Sequence, residues 1–324
     1  MNSDPGAQDP RGEFPSREIS ARAPSGMLAV FLGPGGVRAG WRAAMYVALF
    51  LLCLSILQGI AVVAHSGVFL IFSPENLFFS EAAQAASAIA AGLLMARIEA
   101  RPFGAYGIPW IGAWPRLFLQ GVLWGVGEIT VVILLIAALG GYSFGGWALG
   151  GGQLFEYALF WAVFFAIVGV CEEFLFRGYL QFTVASGIGF WPAAILLSAL
   201  FGAVHLKNSG EGPVGALGVF LIGMFYCLTL RRTGNLWFAI GSHAAFDFGE
   251  TYLYSVPNSG LVLPGHLSSA SLHGAKWLTG GSIGPEGSVF SFLVLAAMFV
   301  LFDRLYPLPK TSGESSAAGE PVAT

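Results

Sequence analysis

Charge is scarce in this 324-residue sequence: 10% of its residues are Asp, Glu, Lys or Arg, against about 25% in ordinary soluble domains. With 56% hydrophobic residues, the chain carries more apolar surface than a soluble fold can hide, so its solvent is lipid. A net charge of −3 argues against a nucleic-acid partner, because phosphate binding needs concentrated Lys and Arg. Cysteine is nearly missing as well. Cys53, Cys171 and Cys227 all lie in apolar stretches, where they act as small hydrophobes and provide no disulfide framework. Residues 1–40 lack the short apolar core of a secretory signal and are rich in Pro, Gly, Ser and Arg; they read as a disordered cytoplasmic tail. Residues 307–324 read the same way, and the sequence shows no internal repeat and no second soluble domain.

What the sequence does have is long apolar runs. They fall at 43–64, 78–96, 117–139, 154–177, 190–205, 213–230, 236–254 and 287–305, the fifth and sixth being short. At about 20 residues per crossing, they predict an all-α, polytopic transmembrane helix bundle of about eight spans within residues 41–306. The run 66–72 is too short to cross and belongs to the first connection. Arg11, Arg17, Arg22, Arg38 and Arg42 precede the first run; Arg97, Arg101 and Arg116 follow the second. Arg231 and Arg232 follow the sixth, and Arg304 and Lys310 the eighth, whereas Lys207 and Lys276 fall on the other side. The positive-inside rule then puts both termini in the cytoplasm and the Gly-rich loop 255–286 outside.

Ionisable side chains inside a span are expensive and point to function. Glu172, Glu173 and Arg177 lie on the fourth run, His205 on the fifth, and His243 and Asp247 on the seventh; Glu128 and Glu250 are isolated additions. Glu173 and Arg177 are four residues apart with the acid first, the favourable order for an ion pair on one helix face. Glu172 points about 100° away from Glu173 and is the freer carboxylate, available as a base. Phe201 and His205 share a face at the same spacing, as do His243 and Asp247, which gives that imidazole a carboxylate one turn away. Glu172 and His205 lie ~20 and ~25 Å from the Gly187-Ile-Gly turn, and His243 ~12 Å from the turn at Thr233, so tilt permits all three to meet.

Other readings use the same residues. A Glu-Glu-Arg set and a lone histidine also serve as interhelical structural bonds, and buried acids with histidines also relay protons in transporters. A non-catalytic scaffold or immunity protein would keep the pocket as a binding site. Cys171 has no adjacent basic group to make a thiolate, which argues against a cysteine nucleophile.

Three segments together carry a resemblance. Cys-Glu-Glu-Phe-Leu-Phe-Arg-Gly at 171–178, Phe-Gly-Ala-Val-His at 201–205 and His-Ala-Ala-Phe-Asp at 243–247 resemble the three signatures of the CPBP family. These are the type II CAAX prenyl endopeptidases and bacteriocin-processing intramembrane proteases, and the likeness covers a core of about 154–254. It implies an intramembrane endopeptidase of a bacterial inner membrane, acting on a peptide or membrane-protein substrate, with or without a lipid chain, in contact with membrane lipid. It makes Glu172 the base that activates water, His205 the residue holding that water, and His243 with Asp247 the oxyanion stabilisers, supported by Glu173 and Arg177. Prenyl endopeptidases often carry Asn where Asp247 stands. Asp247 donates to an oxyanion only when protonated; otherwise it orients His243 or ligates a metal. Glu172, His205 and His243 would suffice for a three-ligand zinc site. No His-Glu-x-x-His helix is present, however, and a metal-free, cofactor-free mechanism is the favoured expectation.

Overall fold

The structure, a computed structural model, describes residues 26–34, 36–64, 73–109, 114–208 and 210–307. The described residues open with a helical turn, α1 (Leu28–Phe31), and a two-rung antiparallel ladder of β1 (Leu32–Gly33) and β2 (Gly36–Val37), within the stretch read as a tail. Helices α2 (Ala39–Ala64), α3 (Pro74–Ile98) and α4 (Trp114–Ala138) follow, with a 3-10 turn at Phe103–Tyr106, and then strand β3 (Tyr142–Ser143). Helix α5 (Gly152–Glu173) runs through a π-helical stretch, Phe174–Leu180, into α6 (Gln181–Ile188). Next come α7 (Phe190–His205), α8 (Pro213–Thr233) and α9 (Trp237–Phe248), the last widening into a π turn at Gly249–Leu253. Strand β4 (Ser271–Leu272), α10 (Lys276–Thr279), a 3-10 turn at Pro285–Gly287 and α11 (Val289–Leu305) complete it. The run 66–72 and residues 308–324 lie outside the described residues.

The boundaries have local causes. Ser73 caps α3 by accepting from the Asn76 N–H, with Pro74 at the first helical position where its missing N–H costs nothing. Ser288 caps α11 in the same way through Phe290, and Gly234, at φ +75°, closes α8 in the left-handed conformation that glycine adopts freely.

Each of the eight apolar runs is helical. Among the described residues, five helices are long and apolar enough to cross a membrane: Ala39–Val63, Pro74–Ile98, Trp114–Ala138, Gly152–Ile188 and Pro213–Thr233. Helices α7 and α11, at 16 and 17 residues, rise only ~24–26 Å. Helix α9 is shorter still, at 12 residues, and protein packing holds it in place. A Cβ at Gly121 or Gly125 of α4 would run into the Phe238 or Ser242 carbonyl of α9; one at Gly241 would meet the Phe118 carbonyl of α4. Small residues here let two backbones touch, the usual device for close helix pairs in lipid.

Helix α2 is the opposite case, with only 11% of its apolar window buried. One end is fastened: Arg42 pairs with Glu99 at 3.2 Å and donates to Ser186 Oγ at 2.7 Å, while Tyr106 and Tyr179 also donate to Glu99. At the other end of the bundle the long loop is folded, β4 pairing with β3 (Leu272 with Tyr142) and Ser268 bridging Trp147.

Candidate active site

Helices α5, α7, α8 and α9 enclose a cavity of about 600 Å³, closed on one side by Phe50, Leu51 and Leu54 of α2. Glu172, His205, His243 and Asp247 all line it. Three separate segments of the sequence, at 171–178, 201–205 and 243–247, therefore meet around one space.

Arg177 and Glu173 are fully buried and joined at 3.0 Å, the pair expected from their spacing. The π-helical stretch begins just after Glu173 and widens the helix where Arg177 must turn inward; such π segments concentrate at functional positions. The guanidinium lies 4.1 Å from the centre of the Phe201 ring, a cation–π contact. Phe201 in turn meets the edge of His205, with ring centres 4.6 Å apart. The carboxylate on α5 thus indirectly sets the position of a histidine on α7.

The partner of His243 differs from the one its sequence suggests. Its Nδ1 donates to Glu173 Oε1 at 3.0 Å, so Glu173 fixes the ring orientation while also holding Arg177. Asp247, one turn along on the same helix, faces the other nitrogen, Nε2, at 3.5 Å. The reason is geometric: α5 packs across α9, and a carboxylate from a neighbouring helix approaches the ring in plane more readily than one stacked along the same helix. Tyr226 of α8 lies nearly parallel to the imidazole, with ring centres 5.8 Å apart.

Glu172 is the carboxylate left free. Its Oε2 is 3.6 Å from His243 Nε2, accepts no hydrogen bond, and its side chain is 26% exposed toward the cavity. His205 Nδ1 donates to the Phe201 carbonyl at 2.8 Å, which leaves Nε2 as the nitrogen with an open lone pair.

Residues outside the main set named from the sequence also reach the cavity, including Glu81, which lies in the 78–96 run and so meets the intramembrane-charge criterion. Glu81 and Gln84 of α3, bonded to each other at 2.7 Å, line the wall, as do Asn258 and Ser259 of the long loop and Glu286 of the 3-10 turn. Glu128, on α4, joins them there. Burial, with the carboxylates of Asp247 and Glu211 nearby, pushes the Glu286 carboxyl up to about 7. The loop residues belong to no apolar run, so an intramembrane-charge criterion passes over them.

Among the described residues, the acid and histidine set whose ligand atoms all lie within 4.8 Å of one another is Asp247, Glu250 and Glu286. Glu172, His205 and His243 share the cavity, and each histidine presents Nε2 with Nδ1 already bonded to an oxygen. That tautomer suits a metal ligand and a water-binding histidine equally.

The cavity reaches Lys207, Asn208 and Ser259, in connections that the arginine distribution puts on the side opposite the termini.

Residues 154–249 match the family model described as type II CAAX prenyl endopeptidase Rce1-like. The matched segment runs from α5 through α9 and contains Glu172, Glu173, Arg177, His205, His243 and Asp247. Neither the curated proteins nor the solved structures offer a match.

Proposed function

We propose that this integral membrane protein, carrying a domain of a protease family, is an intramembrane endopeptidase that hydrolyses a peptide bond with a water activated by Glu172. The observation carrying this reading is the arrangement around His243: a free carboxylate oxygen 3.6 Å from an imidazole nitrogen whose opposite nitrogen is clamped by Glu173. A rigid donor beside an unengaged base is what peptide hydrolysis needs.

In the proposed reaction, Glu172 takes a proton from water while His205 Nε2 accepts the water's second hydrogen bond. The hydroxide adds to the scissile carbonyl carbon, and the oxygen that becomes negative accepts from His243 Nε2–H. For that step His243 carries a proton on each nitrogen, one donated to Glu173 and the other into the cavity. Protonated Glu172 then passes its proton to the departing amine, which restores the carboxylate. Asp247, 3.5 Å from the same nitrogen, keeps the imidazole charged when ionised and adds a second oxyanion donor when protonated. No metal is required. A zinc held by Glu172, His205 and His243 is the alternative, and it would polarise the carbonyl and the water directly.

The substrate reaches the site beneath α2, whose Leu51 is 53% exposed and also lines the cavity, or from the mouth near Lys207. It is a peptide or membrane-protein segment, with or without a lipid chain, in a bacterial inner membrane. Both termini are cytoplasmic.

Peptide cleavage by the purified protein in proteoliposomes, with and without chelator, tests the reading. Glu172→Gln should lower turnover by about 10³-fold, within the range that loss of a general base produces, while the protein stays folded. Turnover unchanged by chelator supports the metal-free route, and turnover retained in Glu172→Gln removes the assignment.

A further inference from the structure

Beside the proposed base lies a second group of carboxylates that the hydrolytic step does not use. Asp247 and Glu250 project from the end of α9, where the helix widens into its π turn, and the Pro285–Gly287 turn brings Glu286 to them. Their oxygens lie within 4.8 Å of one another. Glu250 is fully buried, its oxygens accept from no described N–H or hydroxyl, and its carboxyl faces that of Glu286. Glu128 supplies an independent sign: on another helix, 7% exposed, it also has an oxygen with no partner and borders the same cavity as Asp247 and Glu286.

No described ion pair reaches Glu128 or Glu250, whereas Asp247 faces His243 Nε2 at 3.5 Å. The fully buried Arg177 is committed to Glu173, Arg42 pairs with Glu99 and Arg232 with Asp303 elsewhere, and Lys207 reaches the same cavity. Ser259 Oγ donates to Glu286 at 3.1 Å, but a hydroxyl carries no charge. Carboxylates removed from water cost several kcal/mol each unless compensated, and four in one region are not a neutral accident of packing.

We infer that Asp247, Glu250 and Glu286, with Glu128 at the border, form a binding site for a hard divalent cation, distinct from the Glu172–His205–His243 set. The ligand chemistry selects the ion: all donors are carboxylate oxygens, with neither imidazole nor thiolate among the three, which favours calcium, magnesium or manganese over zinc. The spacing agrees. Oxygens at 2.3–2.6 Å from calcium stand ~3.3 Å apart when adjacent and ~5 Å apart when opposite, so the three carboxylates need little movement to share one ion. The bound cation ties the turn that ends the long loop to the last turn of α9. It thereby fixes Asp247, whose other neighbour is His243 Nε2 at 3.5 Å. The site takes its ion through the mouth at Asn208 and Ser259, which line the same cavity.

The test reads binding rather than turnover, so it stands or falls apart from the peptidase assignment. Full-length protein in detergent is stripped with chelator and titrated with Mn²⁺, followed by electron paramagnetic resonance, and thermal unfolding is scanned with added Ca²⁺, Mg²⁺ or Zn²⁺. The expected result is one saturable Mn²⁺ site per chain, displaced by Ca²⁺, and a Ca²⁺-dependent rise in Tm. Glu250→Gln and Glu286→Gln should each weaken Mn²⁺ binding at least tenfold, and Glu172→Gln should bind as the wild type does. Two variants on different elements guard against one that fails to fold, and helix content by circular dichroism identifies it. Absence of saturable Mn²⁺ binding, or affinity unchanged in both Gln variants, overturns the site and leaves the carboxylates held by protons alone. Binding lost in Glu172→Gln overturns it too, by moving the ion to the histidine set.

Discussion

His243 stands between two sets of buried acids that the protein treats in opposite ways. On the α5 side Glu173 is fully buried yet bonded at 3.0 Å to both Arg177 and His243, so its charge has fixed partners. On the α9 side Glu250 is equally buried, and what its carboxyl faces is the carboxyl of Glu286, with no cation beside it. The difference is in the partners and not in the depth. A carboxylate with a covalently anchored cation is a structural post that positions its neighbours, whereas one without is kept for something that comes and goes, such as a proton, a water or an ion.

Removing the anchored cation should have the largest effect. Arg177→Met leaves Glu173 buried without its main counter-charge and should destabilise the folded protein by about 3–5 kcal/mol, the usual result of breaking one side of a buried pair. Reversible unfolding in mixed micelles measures this. Replacing Glu173 by Gln in the same variant should recover much of the loss, and a loss of less than about 1 kcal/mol in Arg177→Met would erase the contrast between the two sides.

A smaller effect, on activity, should follow from Glu173→Gln alone. Glu173 acts through His243 as a positioning residue, and losses of oriented neighbours of this kind are about 10–100-fold. The loss should fall on kcat with KM little changed, because the clamp aims a donor at the transition state and does not touch the rest of the peptide. A change confined to KM would instead place Glu173 in substrate binding.

The smallest effect belongs to the unpartnered side. In the presence of chelator, Glu250→Gln replaces a buried carboxyl that no side-chain cation balances and should leave stability within about 1 kcal/mol of wild type, or raise it. Destabilisation of the size expected for Arg177→Met would mean that Glu250 has a partner of its own and that the two sides are alike.

Much of the candidate site is legible in the sequence. Glu173 and Arg177 pair because four residues on a helix bring side chains to one face, and that follows from helix geometry wherever the helix lies. The same rule fails for His243. Its four-residue neighbour Asp247 reaches Nε2 at 3.5 Å, but the bond that sets the ring orientation runs from Nδ1 to Glu173, seventy positions away. Periodicity reports only on neighbours within one helix, and which helix crosses it is decided by packing. Glu286 is harder still to find, since a Gly-Pro-Glu-Gly loop segment looks solvated until the fold sets it against Asp247. The widening of α5 and α9 into π turns, right after Glu173 and just beyond Asp247, likewise has no composition signature.

The sequence places this chain in lipid and makes it helical throughout its apolar runs, because backbone groups in a bilayer have no water to bond and must satisfy one another within the segment. It also determined that Glu172, Glu173, Arg177, His205, His243 and Asp247 are the costly groups worth explaining. Which of them touch is set by how the helices pack. The contacts depend on glycines at 121, 125 and 241 that let α4 and α9 approach backbone to backbone, and on a loop returning Glu286 to the end of α9. Those are distances between segments far apart in the chain, set by packing that no local pattern encodes.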